Sequence, residues 1–258
     1  MPEFCRVERD GRVLVVTIDR PEVMNALHPP ANRELGEAFD AFAADPELWV
    51  AILTGAGERA FSAGNDLKFQ ASSGGRLEIP PAGFGGLTSR FDLAKPVIAA
   101  VNGVALGGGF EIALACDLIV ASETASFGLP EPRVGLAALA GGLHRLPRQI
   151  PQKQAMGMLL TGRRISGREA FALGLVNEVV PAAELLPAAR RWADAILECS
   201  PVSVRTTKQV ATRGLRFASL EEAMSQHYDE IRDLVLSDDF QEGPRAFAEK
   251  RPPRWKGR

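Results

Sequence analysis

The sequence predicts an α/β protein, and three observations carry that prediction. β-Branched or wholly apolar runs at 13–18, 49–54 and 97–101 are each bounded by turn residues, as suits buried strands. Between the first two, Leu35, Ala38, Phe39 and Phe42 recur at helical spacing. Beyond Glu131 the chain reads as mostly helical. Strands alternating with helices point to βα-type winding, and the helical final third suggests a docking or oligomerisation layer.

The first strand, 13–18, stops at Asp19-Arg20-Pro21. Asn25-Ala26-Leu27 and His28-Pro29-Pro30 form a loop before a helix predicted over 32–44, which Asp45-Pro46 ends. The strand 49–54 closes on Gly55-Ala56-Gly57, and FSAGNDLK (61–68) follows. Ser62 there has Ala60 in place of the first glycine of a nucleophile elbow, which argues against a nucleophile. Asp66-Leu67-Lys68 reads equally as a helix start. Residues 72–86 are rich in Gly, Pro and Ser, and read as a surface loop or as a lid over a ligand.

The stretch 95–131 organises the chain. After the strand 97–101 and the turn Asn102-Gly103 come Gly107, Gly108 and Gly109, then a helical run, 110–117, whose only charges are Glu111 and Asp117. Glycines before a helix let a ligand approach the unpaired N–H groups of its first turn, where negative charge is favoured. Close helix packing is the alternative reading. The spacing is neither a dinucleotide fingerprint nor a phosphate loop. Glu131 ends the otherwise apolar turn Ser126-Phe127-Gly128-Leu129-Pro130, a poor place for a carboxylate without a task or a partner. Further on, helices are predicted at 143–150, 153–160, 166–173, 182–199, 202–214 and 219–236, with a last strand at 175–180. The basic tail, PRAFAEKRPPRWKGR, reads as solvated or as covering a neighbour or a phosphate.

Bulk properties remove whole classes of function. The 258 residues are 46% hydrophobic and 24% charged, with a net charge of −2, so no basic face for nucleic acid or an anionic membrane is advertised. Cys5, Cys116 and Cys199 are isolated and read as reduced packing thiols. His28, His144 and His227 lack metal-ligand spacing. The N-terminus has no signal-peptide core and no apolar run is long enough to span a bilayer. The expectation is a soluble, cytoplasmic protein without metal.

At FSAGNDLK (61–68), KPVIAAVNGVALGGGFEIALACD (95–117) and ASFGLPE (125–131) the sequence resembles the crotonase superfamily, the enoyl-CoA hydratase/isomerase family. The likeness runs from Asn25-Ala26-Leu27 to the tail. The run FGGLTSRFDLAKPVIAAVNG, the segment LTGRR (160–164) and the ending AFAEKRPPRWKGR are most similar to its carnitinyl-CoA dehydratase (crotonobetainyl-CoA hydratase) subgroup. The resemblance implies a spiral of ββα units over 1–199, with helices at 200–258 that mediate homotrimers or homohexamers. It implies an acyl-CoA substrate and no further cofactor. By position, the N–H groups of Asn65 and Gly108 would form an oxyanion hole, and Glu111 and Glu131 match the two catalytic glutamates. Ala26 and the segment Ala63, Gly64, Asp66, Leu67 and Lys68 match CoA-contacting positions.

One departure stands out: Leu139 occupies a place where common hydratases have glycine. The implied activity is hydration of a short-chain 2-enoyl-CoA. Carnitinyl-CoA dehydration and double-bond isomerisation are alternatives, and a non-catalytic acyl-CoA-binding scaffold is the alternative from another class.

Overall fold

The computed structural model describes residues 2–74 and 80–258. The chain opens with a hairpin, β1 (Cys5–Asp10) and β2 (Val13–Ile18), followed by α1 (Pro29–Ala44). Three similar passages come next. β3 (Val50–Gly55) leads to β4 (Ala60–Ser62) and α2 (Leu67–Ser72). β5 (Val97–Val101) leads to β6 (Val104–Leu106) and α3 (Gly108–Ala115). β7 (Leu118–Ser122) leads to β8 (Ser126–Gly128), a 3₁₀ turn at Glu131–Val134 and α4 (Gly142–Gln149).

In each passage the long strand joins a six-stranded sheet, β1-β2-β3-β5-β7-β10, and the short one a four-stranded sheet, β4-β6-β8-β9. The chain therefore winds as a spiral of ββα units. The remaining elements are α5 (Gln152–Thr161), β9 (Arg164–Ser166), α6 (Gly167–Ala172), β10 (Glu178–Val180) and α7 (Leu185–Leu197). Then come α8 (Pro201–Gly214), α9 (Leu220–Ser225), α10 (Asp229–Val235) and α11 (Asp238–Ala248).

The central strands of the large sheet are buried on both faces, and the two-residue period of a strand sorts their side chains. Leu14, Val16, Leu53, Ala99 and Ala121 pack on one side with α1 and α3. Val13, Val50, Ile52, Ile98 and Val120 pack on the other under Ala188, Ala189 and Ala193 of α7. All of β3 and β5 is buried, which is why those strands read as unbroken apolar runs.

Several expectations need correction. β1 is a strand whose residues after Cys5 are exposed, and charge on an outer strand disfavours stray pairing. The predicted helix 219–236 is two helices, each with its own start. The predicted strand 175–180 is paired only at Glu178–Val180. The tail folds back on its own chain: Trp255 Nε1 donates to the Glu198 carbonyl (2.8 Å) and the Lys256 N–H to Asp239 (2.7 Å). Cys199 is exposed, whereas Cys5 and Cys116 are buried. Part of the expected lid, 75–79, lies outside the described residues. Its end is no lid, because Phe84–Gly86 is a buried 3₁₀ turn fastened by Gly85 N–H to Asn32 Oδ1 (2.7 Å). Among the described residues no helix is long and apolar enough to cross a membrane.

Candidate active site

The site is built where three loops leave the sheets. The first starts at Asn25, which is buried and in the left-handed region (φ 55°). Its Nδ2 donates to the carbonyls of Ala56 (3.0 Å) and Ala60 (2.7 Å), and its Oδ1 accepts from Arg20 N–H (3.0 Å). Ser62 Oγ donates to the Asn25 carbonyl (2.8 Å) and accepts from Gly64 N–H (3.1 Å). Ser62 is thus a buried bracket between two loops, which leaves it no role as nucleophile.

Leu27 N–H donates to the Gly64 carbonyl (2.7 Å) and Asp66 N–H to the Leu27 carbonyl (3.0 Å). That parallel bridge pairs Leu27 with Asn65, so the N–H of Asn65 itself points away from Leu27. The Asn65 side chain is tied back, Nδ2 donating to Gln70 Oε1 (2.6 Å). Gly64 has φ +87°, and a Cβ there would stand 2.8 Å from the Gly108 nitrogen. The two loops therefore touch backbone to backbone at Gly64, the residue before Asn65, and at Gly108, the first residue of α3, whose N–H has no intrahelical acceptor.

Glu111, one turn further along α3, is 3% exposed. Its Oε1 accepts from Gly142 N–H (2.8 Å), the first residue of α4. Glu131, on the 3₁₀ turn after β8, reaches back to Gly107, at whose Cβ position Oε1 would stand 3.1 Å away. Its Oε2 is the one buried side-chain N or O atom without a hydrogen-bond partner among the described residues. Leaving a buried acceptor unpaired costs about 1–3 kcal/mol, more when charged. Burial pushes Glu111 up to about 7, against the pull of Gly142 N–H, and the Glu131 charge adds to the rise. Burial raises Glu131 as well. Each carboxyl therefore keeps its proton to a higher pH than usual, and the Glu131 charge links the titration of Glu111 to its own.

The other residues singled out by sequence fall around this pair in different ways. Asp66 caps α2 through Phe69 N–H (3.1 Å) and pairs with Arg20 (3.1 Å). Burial works against ionisation of Asp66, but those two partners outweigh it and hold its carboxyl below the usual range. The Ala26 carbonyl accepts from Arg20 Nη1 (2.5 Å), and Ala63 N–H donates to the Met24 carbonyl (2.9 Å). Leu67 and Lys68 open α2 with exposed side chains. Leu139 is 68% exposed in the turn before α4.

His28 is a packing residue. It caps α1 through Ala31 N–H (3.3 Å) and meets the edges of Phe4 and Phe69. Among the described residues no group of three His, Cys, Asp or Glu is arranged to hold a metal. A cavity of about 520 Å³ between β1 and α1 is lined by Cys5, Glu34 and Phe42 and contains none of these groups.

Two contributors had escaped the sequence reading, Gly142 and Arg145. A backbone N–H has no sequence signature. Arg145 had one: a cation near the start of a helix, where the dipole disfavours it, in a segment otherwise carrying Leu143 and Leu146.

Comparison with known proteins fits this arrangement. Residues 8–258 match the model of the family described as Enoyl-CoA hydratase/isomerase. The chain belongs to the enoyl-CoA hydratase/isomerase family. Within that family it is 46% identical to a carnitinyl-CoA dehydratase of Salmonella arizonae, covering 100% of both chains. Two solved structures superpose on its full length. An enoyl-CoA hydratase of Mycobacterium marinum has TM-score 0.93 at 43% identity, covering 100% of both chains. One from Mycobacterium tuberculosis has TM-score 0.92 at 41% identity, again covering 100% of both. The crotonase fold expected from the sequence is therefore the fold observed.

Proposed function

We propose that the protein is an enoyl-CoA hydratase acting on a short-chain 2-enoyl-CoA. The observation that carries this reading is the unpartnered, buried Oε2 of Glu131 beside Glu111, next to N–H groups on two touching loops. In hydration, water attacks C3 of the enoyl thioester and gives its proton to Glu111. The electron pair displaced from the double bond moves onto the thioester oxygen. The N–H groups of Asn65 and Gly108 stabilise that oxygen, and such donors are each worth about 10²–10³ in kcat. Glu131 then delivers its proton to C2 as the carbonyl reforms. The pair has gained one proton and lost one, and redistribution between the two resets it. No step calls for a metal or redox group. The acyl-CoA contacts follow the family's arrangement at Ala26, Ala63 and Leu67–Lys68.

A second reading, carnitinyl-CoA dehydratase, is favoured by the full-length identity of 46% to such enzymes. Two features favour a neutral acyl group instead. A quaternary ammonium is usually held by aromatic faces or a carboxylate. Phe84, the aromatic of the Gly- and Pro-rich segment, is 3% exposed and its ring lies against Gly108. Phe91 already carries the guanidinium of Arg145, 5.6 Å from its ring centre, and that cation acts on Glu111. The isomerase reading needs Glu131 but not Glu111, and a silent scaffold needs neither.

The deciding experiment follows absorbance of the conjugated thioester with crotonyl-, longer 2-enoyl-, 3-enoyl- and crotonobetainyl-CoA. Crotonyl-CoA or another small neutral enoyl-CoA is expected to give a higher kcat/KM than crotonobetainyl-CoA. The reverse order overturns the neutral-substrate reading in favour of the carnitine one. The helices at 200–258 leave Leu215, Leu220, Met224, Leu236 and Phe247 exposed, in keeping with a homotrimer or a pair of trimers. Light scattering that finds a stable monomer at micromolar concentration contradicts that assembly.

A further inference from the structure

Glu111 and Glu131 are unequally provided for, and the inequality has a source outside the pair. Arg145 lies on α4, whose first residue, Gly142, donates to Glu111. The Arg145 N–H donates to the Gly141 carbonyl (2.8 Å), and its Nη1 lies against the Gly141 backbone, where a side chain would displace it. Gly141, at φ +112°, is the one place in this turn where glycine is demanded twice, by conformation and by the arginine. The fork is held from outside by Nη2 donating to the Thr88 carbonyl (2.9 Å) and by the ring of Phe91. Arg145 Nη1 and Glu111 Oε1 thus rest on consecutive glycines of one turn. Among the described residues Arg145 has no carboxylate at ion-pairing distance, and its fixed, half-buried cation has Glu111 as its leading counter-charge.

We propose that Arg145 is a positioning residue whose charge favours the ionised form of Glu111, so that Glu111 meets the water as a carboxylate while Glu131 brings the proton. This rests on the hydratase reading. Among the described residues the charged groups bearing on Glu111 are Glu131, from the 3₁₀ turn, which disfavours its ionisation, and Arg145, from α4, which favours it. Cys116, also facing Arg145 from the end of α3, is held as a neutral thiol by burial. Among the described residues no arginine acts on Glu131, where burial is opposed only by its own N–H. The difference between the two sites is therefore a cation and the α4 N-terminus on one side and an orphaned oxygen on the other.

The test is kcat/KM against pH for hydration of crotonyl-CoA. Arg145→Gln should move the acid limb up by about one pH unit, the usual size of a neighbouring charge's effect. It should also lower kcat at neutral pH and leave KM nearly unchanged. Arg145→Lys, which retains the charge, should keep the limb close to its original position. A loss of rate in Arg145→Gln with the limb unmoved assigns Arg145 a merely structural role and overturns the proposal. Should Arg145→Gln fail to fold, Phe91→Asp and Phe91→Asn supply the test, since Phe91 is exposed. A carboxylate there pairs with the guanidinium, so the limb of the Asp variant should lie above that of the Asn variant, and coincident limbs refute the proposal. Glu111→Gln separates the two levels. Full activity in that variant defeats the hydratase reading itself, whereas an inactive Glu111→Gln with an unmoved limb in Arg145→Gln defeats only this inference.

Discussion

The turn that receives Glu111 and the turn that carries Glu131 are built differently. Glu111 sits inside a helix, nearly sealed, with an N–H from α4 on its Oε1. Glu131 stands on a short 3₁₀ turn whose other residues, Pro132, Arg133 and Val134, are exposed, and its inner oxygen has no partner. A carboxylate is stabilised by donors, and a carboxylic acid tolerates their absence. The difference teaches that two identical side chains can be given opposite duties by their surroundings, before any substrate arrives.

The strongest way to break the comparison is to neutralise each member. Glu111→Gln and Glu131→Gln should each lower hydration by about 10²–10⁴-fold. The double variant should lose far less than the product of the two, because groups acting as a unit are not additive. Isomerisation of a 3-enoyl-CoA that survives Glu111→Gln but not Glu131→Gln would shift the assignment to the isomerase reading.

Next in size is the contact between loops. Gly64→Ala puts a methyl group into the backbone of Leu106 and Gly108 and strains a residue at φ +87°. Separating the two donors should lower kcat by about 10²-fold, with CoA product affinity changed far less. An equal loss in both would mean that the loop serves CoA binding rather than the oxyanion.

These features were not equally visible in the sequence. The strands β2, β3 and β5 were readable because burial on both faces leaves an unbroken apolar run. The strands β4, β6 and β8, three residues each, are too short for a period to register, so the second sheet was invisible. The break between α9 and α10, at Gln226-His227-Tyr228, was hidden because no Gly or Pro marks it. It is fixed instead by local bonds, the Ser219–Glu222 capping box and Tyr228 Oη donating to the Ala223 carbonyl (2.9 Å). In the site, Glu111 and Glu131 stood out as lone acids in apolar surroundings. Arg145 did not, because its counter-charge comes from a distant helix.

A smaller effect is expected in the response to pH. Burial raises Glu111 to about 7, so hydration should fall as pH drops through that value and the base takes up a proton. The sign for stability follows from the same shift. Because the folded state favours the protonated form, stability is greatest below the ordinary carboxylate pKa and declines as pH rises through about 7. Glu111→Gln, neutral throughout, should therefore melt above the parent at about pH 8, with the gap closing towards about pH 4. A gap that widens on acidification would show that the donors and the cation around Glu111 outweigh its burial.

The division of labour itself is tested most directly by proton exchange without hydration. Butyryl-CoA in D₂O has no double bond to hydrate, yet its C2 proton can leave to a base while the thioester oxygen rests on the Asn65 and Gly108 N–H groups. Exchange followed by proton NMR should persist in Glu111→Gln and be abolished in Glu131→Gln. Exchange lost in Glu111→Gln and retained in Glu131→Gln would reverse the two roles and contradict the asymmetry on which the account depends.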